Sequence, residues 1–543
     1  MMLRGLMMDT PLLISAIIAH ADIAHGDQHV VTRLPDDGIA RASYRDVHRR
    51  ARQLAGALDG LRLAEGDRVG SIAWNTQRHL ELYFGVSGSG RVMHVINPRL
   101  PPEQLAFIIN HAGDRALFID PDFAAPVIAL LPKLPSVESV VVMAERSQMP
   151  QSCPASFLCY EELIAACSPD FAWPTLDENA AAGLCYTSGT TANPKGVLYS
   201  HRSTVLHAMM MAQAGIGRLA ENEIVLPVVP MFHVMAWGFP YACPMTGAGM
   251  VMPGRALDGD SLFALMDAEN VTMAAGVPTI WAMLLATMRR HGRAPGALSR
   301  TLVGGAALPV AMIEAFEEFG VEVCQGWGMT ETSPVGSLST LKPAMRDWPR
   351  ERRLAQKARQ GRPVFGVELE IVGEDGRALA HDGAHHGALR IRGPWVCSAY
   401  FSADGGAGAA DPAHAAGWFD TGDIATIDEH GYIGITDRSK DLIKSGGEWI
   451  SSIQLENLAI AHPDIAQAAA IAVADEKWGE RPLLVAVAAE GRRPDKRSIL
   501  DHLSAGLARW QLPDDIVFVD ALPIGATGKV LKAKLRERFA GSP

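Results

Sequence analysis

Between residues 44 and 180 the chain changes its hydrophobic period repeatedly. Residues 44–63 carry apolar side chains at helical spacing, 68–74 form a short apolar run, and 78–88 turn helical again. Strand-like 91–96, helical 102–112, and the short apolar runs 116–119 and 139–143 continue the series. Strands that alternate with helices bury both partners best when the strands run parallel and the helices cross over the sheet faces. The alternation resumes from 200 to about 335. The pattern predicts an α/β fold, with a large N-terminal domain of two α/β subdomains.

The texture changes near 360. Stretches 367–372 and 388–392 alternate apolar and polar residues, with turn signals at Glu374-Asp375-Gly376 and Arg392-Gly393-Pro394. This predicts a small, mostly antiparallel β unit over about 360–436, interrupted by an exposed loop at 403–417 that is rich in Ala, Gly and Asp. A boundary falls at Asp437-Arg438-Ser439-Lys440. Beyond it a helix (452–462), two strands (466–473, 482–489) and a further helix (495–507) read as one compact α+β domain. The expected organisation is an N-terminal domain over 1–436, a hinge at 437–440 and a small mobile C-terminal domain over 441–543.

Composition removes several classes. A formal charge of −11 lacks the basic footprint of a nucleic-acid binder. The seven cysteines are odd in number and contain no Cys-x-x-Cys pair, which fits buried thiols in a reducing compartment rather than disulfides or a zinc site. The apolar run at 11–19 is too short to cross a membrane and is followed by no small-residue cleavage site. It reads as a core helix with Ile14, Ile17 and Ile18 on one face. A cytoplasmic location, with no integral membrane segment, is expected.

The chemistry concentrates first in Tyr186-Thr187-Ser188-Gly189-Thr190-Thr191-Ala192-Asn193-Pro194-Lys195-Gly196-Val197. Hydroxyls, glycines and one lysine on a loop between two apolar segments resemble a hairpin whose tip grips phosphate. The order is not that of a Walker A loop, which needs Gly-x-x-x-x-Gly-Lys-Ser/Thr. Six further segments follow: 230–234 (PMFHV), 326–332 (GWGMTET), 418–423 (WFDTGD), 437–444 (DRSKDLIK), 445–449 (SGGEW) and 525–529 (GATGK).

Together, and in this order, the seven segments resemble the core motifs of the adenylate-forming superfamily. The details are most similar to its fatty-acyl-CoA synthetase branch, among medium/long-chain fatty-acid–CoA ligases and 3-methylmercaptopropionate-CoA ligases. The resemblance implies an AMP-forming acid–CoA ligase. A carboxylate would attack the α-phosphorus of ATP and expel pyrophosphate; coenzyme A thiol would then displace AMP. It further implies that Ser188, Gly189, Thr190, Thr191 and Lys195 grip the β- and γ-phosphates, and that Thr187 and Glu331 hold Mg²⁺. Thr330 would touch the α-phosphate. Gly326, Trp327 and Gly328 would line one face of adenine, and Gly304, Gly305 and Ala306 the other. Asp423 would accept from the ribose hydroxyls with Arg438 beside it. Lys529 would bridge carboxylate and α-phosphate. Lys440 would be the hinge about which Gly446 and Gly447 swing in to shape the pantetheine tunnel. His233 would orient the carboxylate, and Trp237, with Trp449, would gate the acyl tunnel. For His233 and Trp237 the residues alone fit core packing equally well. A homodimer is expected on the same resemblance.

Three departures stand out. Ala192 replaces a usual glycine, Trp327 a commoner tyrosine, and 523–525 lacks a basic residue often found before the lysine turn. Competing readings are an adenylation enzyme serving a separate carrier protein, a luciferase-like oxidation, and a non-catalytic nucleotide-binding protein. Whether the acid is a short thioether or a longer fatty acid stays open in the sequence.

Overall fold

The computed structural model describes residues 3, 5–187, 194–402, 417–446, 448–525 and 530–539. Two large sheets build the N-terminal part. The first has seven strands in the order Leu158–Cys159, Ser139–Val142, Asp114–Ile119, Arg68–Ile72, Val92–Val95, Ala181–Tyr186 and Gly196–Ser200. All its pairs are parallel except the last, where Ala181–Tyr186 and Gly196–Ser200 form an antiparallel hairpin. The predicted crossover helices are present, among them Tyr44–Gly60, Gln77–Gly88 and Pro102–Ala112. Ser43 starts the first of these with a capping box to Asp46, which satisfies orphan N–H groups at the helix start.

The second sheet has nine strands, with Ile224–Pro227, Met273–Gly276, Arg300–Val303 and Glu322–Gly328 running parallel through its middle. The hairpin His29–Arg33/Ile39–Ser43 completes one edge, and His29–Arg33 pairs parallel with Gly249–Met252. The local pattern did not announce this placement, because the partner lies more than two hundred residues away in the chain. Ile14, Ile17 and Ile18 are buried as expected, in a core shared by both large sheets. The β unit is a four-stranded antiparallel sheet, Glu368–Val372, Gly387–Arg392, Phe419–Ile427 and Ile433–Arg438.

The C-terminal domain is built on a five-stranded sheet whose two faces carry separate apolar cores. The strand Ile433–Arg438 runs through the first two residues expected in the hinge. The chain turns only after it: the N–H groups of Asp441 and Leu442 both donate to the Arg438 carbonyl at 2.9 Å. In the present arrangement the Asp437 carboxylate accepts from the Ser452 N–H at 2.6 Å, and Arg536 pairs with Asp441 at 2.8 Å. No helix among the described residues is long and apolar enough to cross a membrane. All seven cysteines are free.

Candidate active site

In open α/β sheets, ligands settle in the crevice beyond the carboxyl ends of the parallel strands. Three of the motif segments, and the Gly304 turn, stand at those ends. Thr187 follows Ala181–Tyr186, the turn at 228–238 follows Ile224–Pro227, Gly304 follows Arg300–Val303, and Met329 follows Glu322–Gly328. Residues far apart in the chain therefore meet because their strands are neighbours in a sheet. Val303 pairs with Gln325, so Gly304 and Gly326 come together at adjacent strand ends. A Cβ on Gly304 would stand 3.3 Å from the Gly326 carbonyl oxygen. Gly305 has φ +80°, a left-handed conformation that suits glycine, and it and Ala306 are exposed.

The phosphate-loop hairpin is closed at its neck. Thr187 N–H donates to the Lys195 carbonyl at 2.9 Å, and Lys195 N–H donates to Thr187 Oγ1 at 3.1 Å. Ser188, Gly189, Thr190, Thr191 and the unusual Ala192 lie outside the described residues, as do Gly447 and Lys529. From the neck, the Lys195 ammonium sits over the Tyr400 ring, 4.3 Å from its centroid. The Tyr400 hydroxyl donates to Glu331 Oε1 at 2.7 Å. Glu331 is buried, and Tyr199 on the hairpin's return strand donates its hydroxyl to the Thr330 carbonyl at 2.7 Å. Lys195, Thr187, Thr330 and Glu331 thus belong to one connected cluster. Nothing in the sequence motifs pointed to Tyr400; it lies just before the loop at 403–417 and outside every segment that carried the resemblance.

A second cluster surrounds Asp423, which is only 3% exposed. The Trp327 indole N–H donates to its Oδ2 at 3.1 Å, and the Arg438 guanidinium meets Oδ1 at 2.8 Å. A buried carboxylate needs such partners, because an unpaired buried charge is costly. Trp327 keeps a flat aromatic surface at the end of its strand. Unlike a tyrosine, which could also accept, its indole N–H is a donor only, and it is spent on the carboxylate.

The turn after the PMFHV segment has a backbone that periodicity could not reveal. Val234, Met235, Ala236 and Trp237 all have positive φ (43°, 47°, 49° and 55°), and Gly238 continues at 82°. Consecutive left-handed non-glycine residues cost about 1–2 kcal/mol each and persist only where packing imposes them. The packing is visible on both sides. The Met235 methyl reaches to 3.2 Å of where a Gly183 Cβ would be, on the first sheet, and the Trp237 ring reaches to 3.0 Å of a Gly304 Cβ on the second. The turn is a bridge between the sheets. Asn75 supports it from below, donating to the carbonyls of Pro227 (2.8 Å) and Val229 (2.9 Å) and accepting from Met231 N–H (2.7 Å). His233 is half-buried at the start of this turn, and Trp237 is buried beside the glycine wall. Trp449 packs elsewhere, against His386 of the small β unit, with ring centroids 6.4 Å apart.

On the C-terminal domain, Gly446 (φ +61°) lies under the Trp478 ring and donates its N–H to the Trp478 carbonyl at 2.7 Å. Lys440 stands in the turn after Arg438; burial pulls its ammonium below the usual lysine range, opposed by the nearby Asp441 carboxylate. Among the described residues, no group of three or more His, Cys, Asp or Glu side chains could hold a metal. Glu331 and the Thr187 hydroxyl offer two hard oxygen donors, which fits a magnesium ion that takes its remaining ligands from phosphate and water.

Comparison with known proteins agrees with this geometry. Residues 20–401 match the family model described as AMP-binding enzyme, and residues 454–529 match its C-terminal domain. The chain is 50% identical to a 3-methylmercaptopropionyl-CoA ligase of Ruegeria lacuscaerulensis over 98% of each chain. It is 46% identical to a medium-chain-fatty-acid–CoA ligase of Ectopseudomonas oleovorans, covering 98% of this chain and 97% of that one. The crystal structure of the anthranilate CoA ligase AuaEII in complex with anthranoyl-AMP superimposes with a TM-score of 0.84 at 25% identity, over 98% of each chain. The chain belongs to the AMP-binding, adenylate-forming enzyme family, within its acid–CoA ligase branch.

Proposed function

We propose that the protein is an AMP-forming ligase for an unbranched aliphatic acid, with 3-methylmercaptopropionate the first candidate substrate and a medium-chain fatty acid the second. The observation that carries the reading is that two polar clusters are joined through the short segment 327–331: Lys195–Tyr400–Glu331, read as the phosphate side, and Trp327–Asp423–Arg438, read as the sugar side. The second candidate has its own support in the Ectopseudomonas relative.

In this reading a carboxylate oxygen attacks the α-phosphorus, the bond to the β-phosphate oxygen breaks, and pyrophosphate leaves. Lys195, with Ser188, Gly189, Thr190 and Thr191, takes the charge that develops on the leaving group. Mg²⁺, held by Thr187 and Glu331, supplies neutralising charge on the phosphate oxygens when bound. Asp423 turns its acceptors to the ribose, and Gly304, Gly305, Ala306, Gly326, Trp327 and Gly328 flank the adenine, with Thr330 near the α-phosphate. His233 orients the acid, and Trp237 closes the acyl channel where it meets the nucleotide wall. Lys529 serves the first step. The C-terminal domain then turns about Lys440 and presents Gly446 and Gly447 to coenzyme A, whose thiolate attacks the acyl carbonyl and releases AMP. A cytoplasmic homodimer is the form proposed for the working enzyme.

Pyrophosphate release across a panel of acids, with and without coenzyme A, tests the reading. Release with 3-methylmercaptopropionate or a medium-chain acid, and thioester only when coenzyme A is present, is expected. No release with any acid would remove the ligase reading. Adenylate formation with no thioester to coenzyme A would favour a carrier-protein partner. Lys529→Ala should lose adenylate formation yet still convert supplied acyl-AMP to thioester, whereas Lys440→Pro should lose mainly the thioester step.

A further inference from the structure

One arginine fills a gap in the C-terminal sheet. The strand Gly479–Ala488 has the long strand Ile465–Asp475 along one side. Along its other side two shorter strands stand end to end. Ser445 of Ile443–Ser445 pairs with Gly479, and Asp515 of Asp515–Phe518 pairs with Leu483. Arg481 lies between those two points of register and is buried. Its Nη1 donates to Ser445 Oγ at 3.1 Å and to the Trp510 carbonyl at 2.6 Å. Nη2 donates to the Leu512 carbonyl at 2.9 Å and to Asp514 at 2.6 Å, and Nε donates to Asp514 at 2.9 Å. A guanidinium offers five donors in one rigid fork. An ammonium is a point charge and cannot span a hydroxyl, two carbonyls and a carboxylate in this way.

The same fork anchors the turn at 444–446. The Lys444 N–H donates to Glu480 at 2.8 Å, and the Gly446 N–H to the Trp478 carbonyl at 2.7 Å. Arg481 adds a charge-assisted tie through Ser445, itself buried. The turn thus takes its position from the segment 478–481. Resting on the reading above in which Gly446 is presented to coenzyme A, we propose that Arg481 is a positioning residue for the thioester step. It fixes the Ser445–Gly446 turn against the sheet, so that coenzyme A meets the turn in one arrangement. A surface ordered in advance does not have to be ordered on binding, and affinity is kept. Loss of Arg481 is therefore felt in the affinity for coenzyme A. The acid and ATP are unaffected, because the clusters at Glu331 and Asp423 belong to the N-terminal part of the chain.

Substitutions in the full chain separate this role from support of the fold. Adenylate formation is followed as pyrophosphate release without coenzyme A. The thioester step is followed by titrating coenzyme A against supplied acyl-AMP. Arg481→Lys keeps the charge and loses the fork. It should raise the KM for coenzyme A about tenfold, the size expected for lost hydrogen bonds to a charged group, with adenylate formation unchanged. Ser445→Ala removes only the contact to the turn and should raise the same KM about threefold. Asp514→Asn keeps the fork's contacts to Ser445 and the carbonyls but removes the opposing charge. It should lower the melting temperature and leave the KM for coenzyme A at the wild-type value. A merely structural arginine would make the KM follow the melting temperature, with Asp514→Asn impaired like Arg481→Lys. That result overturns the proposal. So does a wild-type KM in Arg481→Lys or Ser445→Ala, or an equal fall of both half-reactions. Gly446→Ala tests the reading beneath. A wild-type KM for coenzyme A in that variant removes the turn from the coenzyme A site. A raised KM there beside an unimpaired Arg481→Lys removes the role of Arg481 alone.

Discussion

Gly304 lies under the Trp237 indole so closely that a Cβ added to the glycine would stand 3.0 Å from the ring. The proposed nucleotide wall and the proposed acyl gate thus share one surface. A substituent on one side is felt on the other, because a packed interior transmits displacements of a few tenths of an ångström.

Gly304→Ala should therefore raise the KM for ATP and for the acid together, with a stability loss of about 1–2 kcal/mol from overpacking. Steady-state kinetics in both substrates, alongside urea unfolding, checks this. An alanine variant in which only the ATP parameter moves would separate the gate from the wall.

Trp327 and Asp423 give a narrower test. Trp327→Phe keeps a flat ring and removes the N–H that meets the Asp423 carboxylate at 3.1 Å. The ring contribution to adenine should survive, while the carboxylate loses one of the partners that aim it. A rise of about threefold to tenfold in the KM for ATP is expected, with little change in the KM for the acid. Equal changes in both would place Trp327 in the acyl channel instead.

Gly238 tests the left-handed turn. Its φ of +82° already disfavours a side chain, and a Cβ there would meet the His207 ring at 2.7 and 2.8 Å. Gly66 is a matched control: its φ is +80°, with nothing within 4 Å of an added Cβ. Gly66→Ala should cost about 1 kcal/mol, the backbone term alone. Gly238→Ala should cost about 2–3 kcal/mol more, from the collision. Equal losses in denaturant unfolding would mean that His207 yields without resistance.

These positions show what a sequence can carry. The alternation at 44–180 was enough to foresee parallel strands, since each element's period is a local property. The phosphate loop was legible as a hairpin tip because its flanking apolar runs are adjacent in the chain. The edge hairpin at 29–43 was not, because its partner strand Gly249–Met252 is distant and pairing leaves no local mark. Tyr400 was invisible for a related reason: its meaning comes from Lys195 and Glu331, which the fold supplies from two other segments. The run of positive φ at Val234–Trp237 was hidden most deeply. None of those four residues favours such a backbone, so only packing against Gly183 and Gly304 accounts for it.

His207 links this turn to the protein's response to acid. It is buried, and its Nε2 accepts from the Val335 N–H at 3.3 Å, so the neutral ring carries its proton on Nδ1. Burial pulls its pKa down to about 3, and the same cause brings His79 and His201 to about 4. Protonating His207 would set a new N–H against the Val335 N–H in a site that water does not reach. Above the ordinary histidine value of about 6.5 both folded and unfolded chains keep these rings neutral, and stability does not respond. As pH falls below that value the unfolded chain takes up protons that the folded chain refuses. Stability is then lost until the folded values are reached. At pH 4.5 each such histidine should have removed about 2–3 kcal/mol. His207→Gln retains an acceptor for Val335 but cannot titrate. Its unfolding free energy, followed by urea from pH 7 to pH 4.5, should fall less steeply than that of wild type by about one histidine's share. Parallel curves for the two proteins would show that His207 is protonated in the folded state and that the turn tolerates its charge.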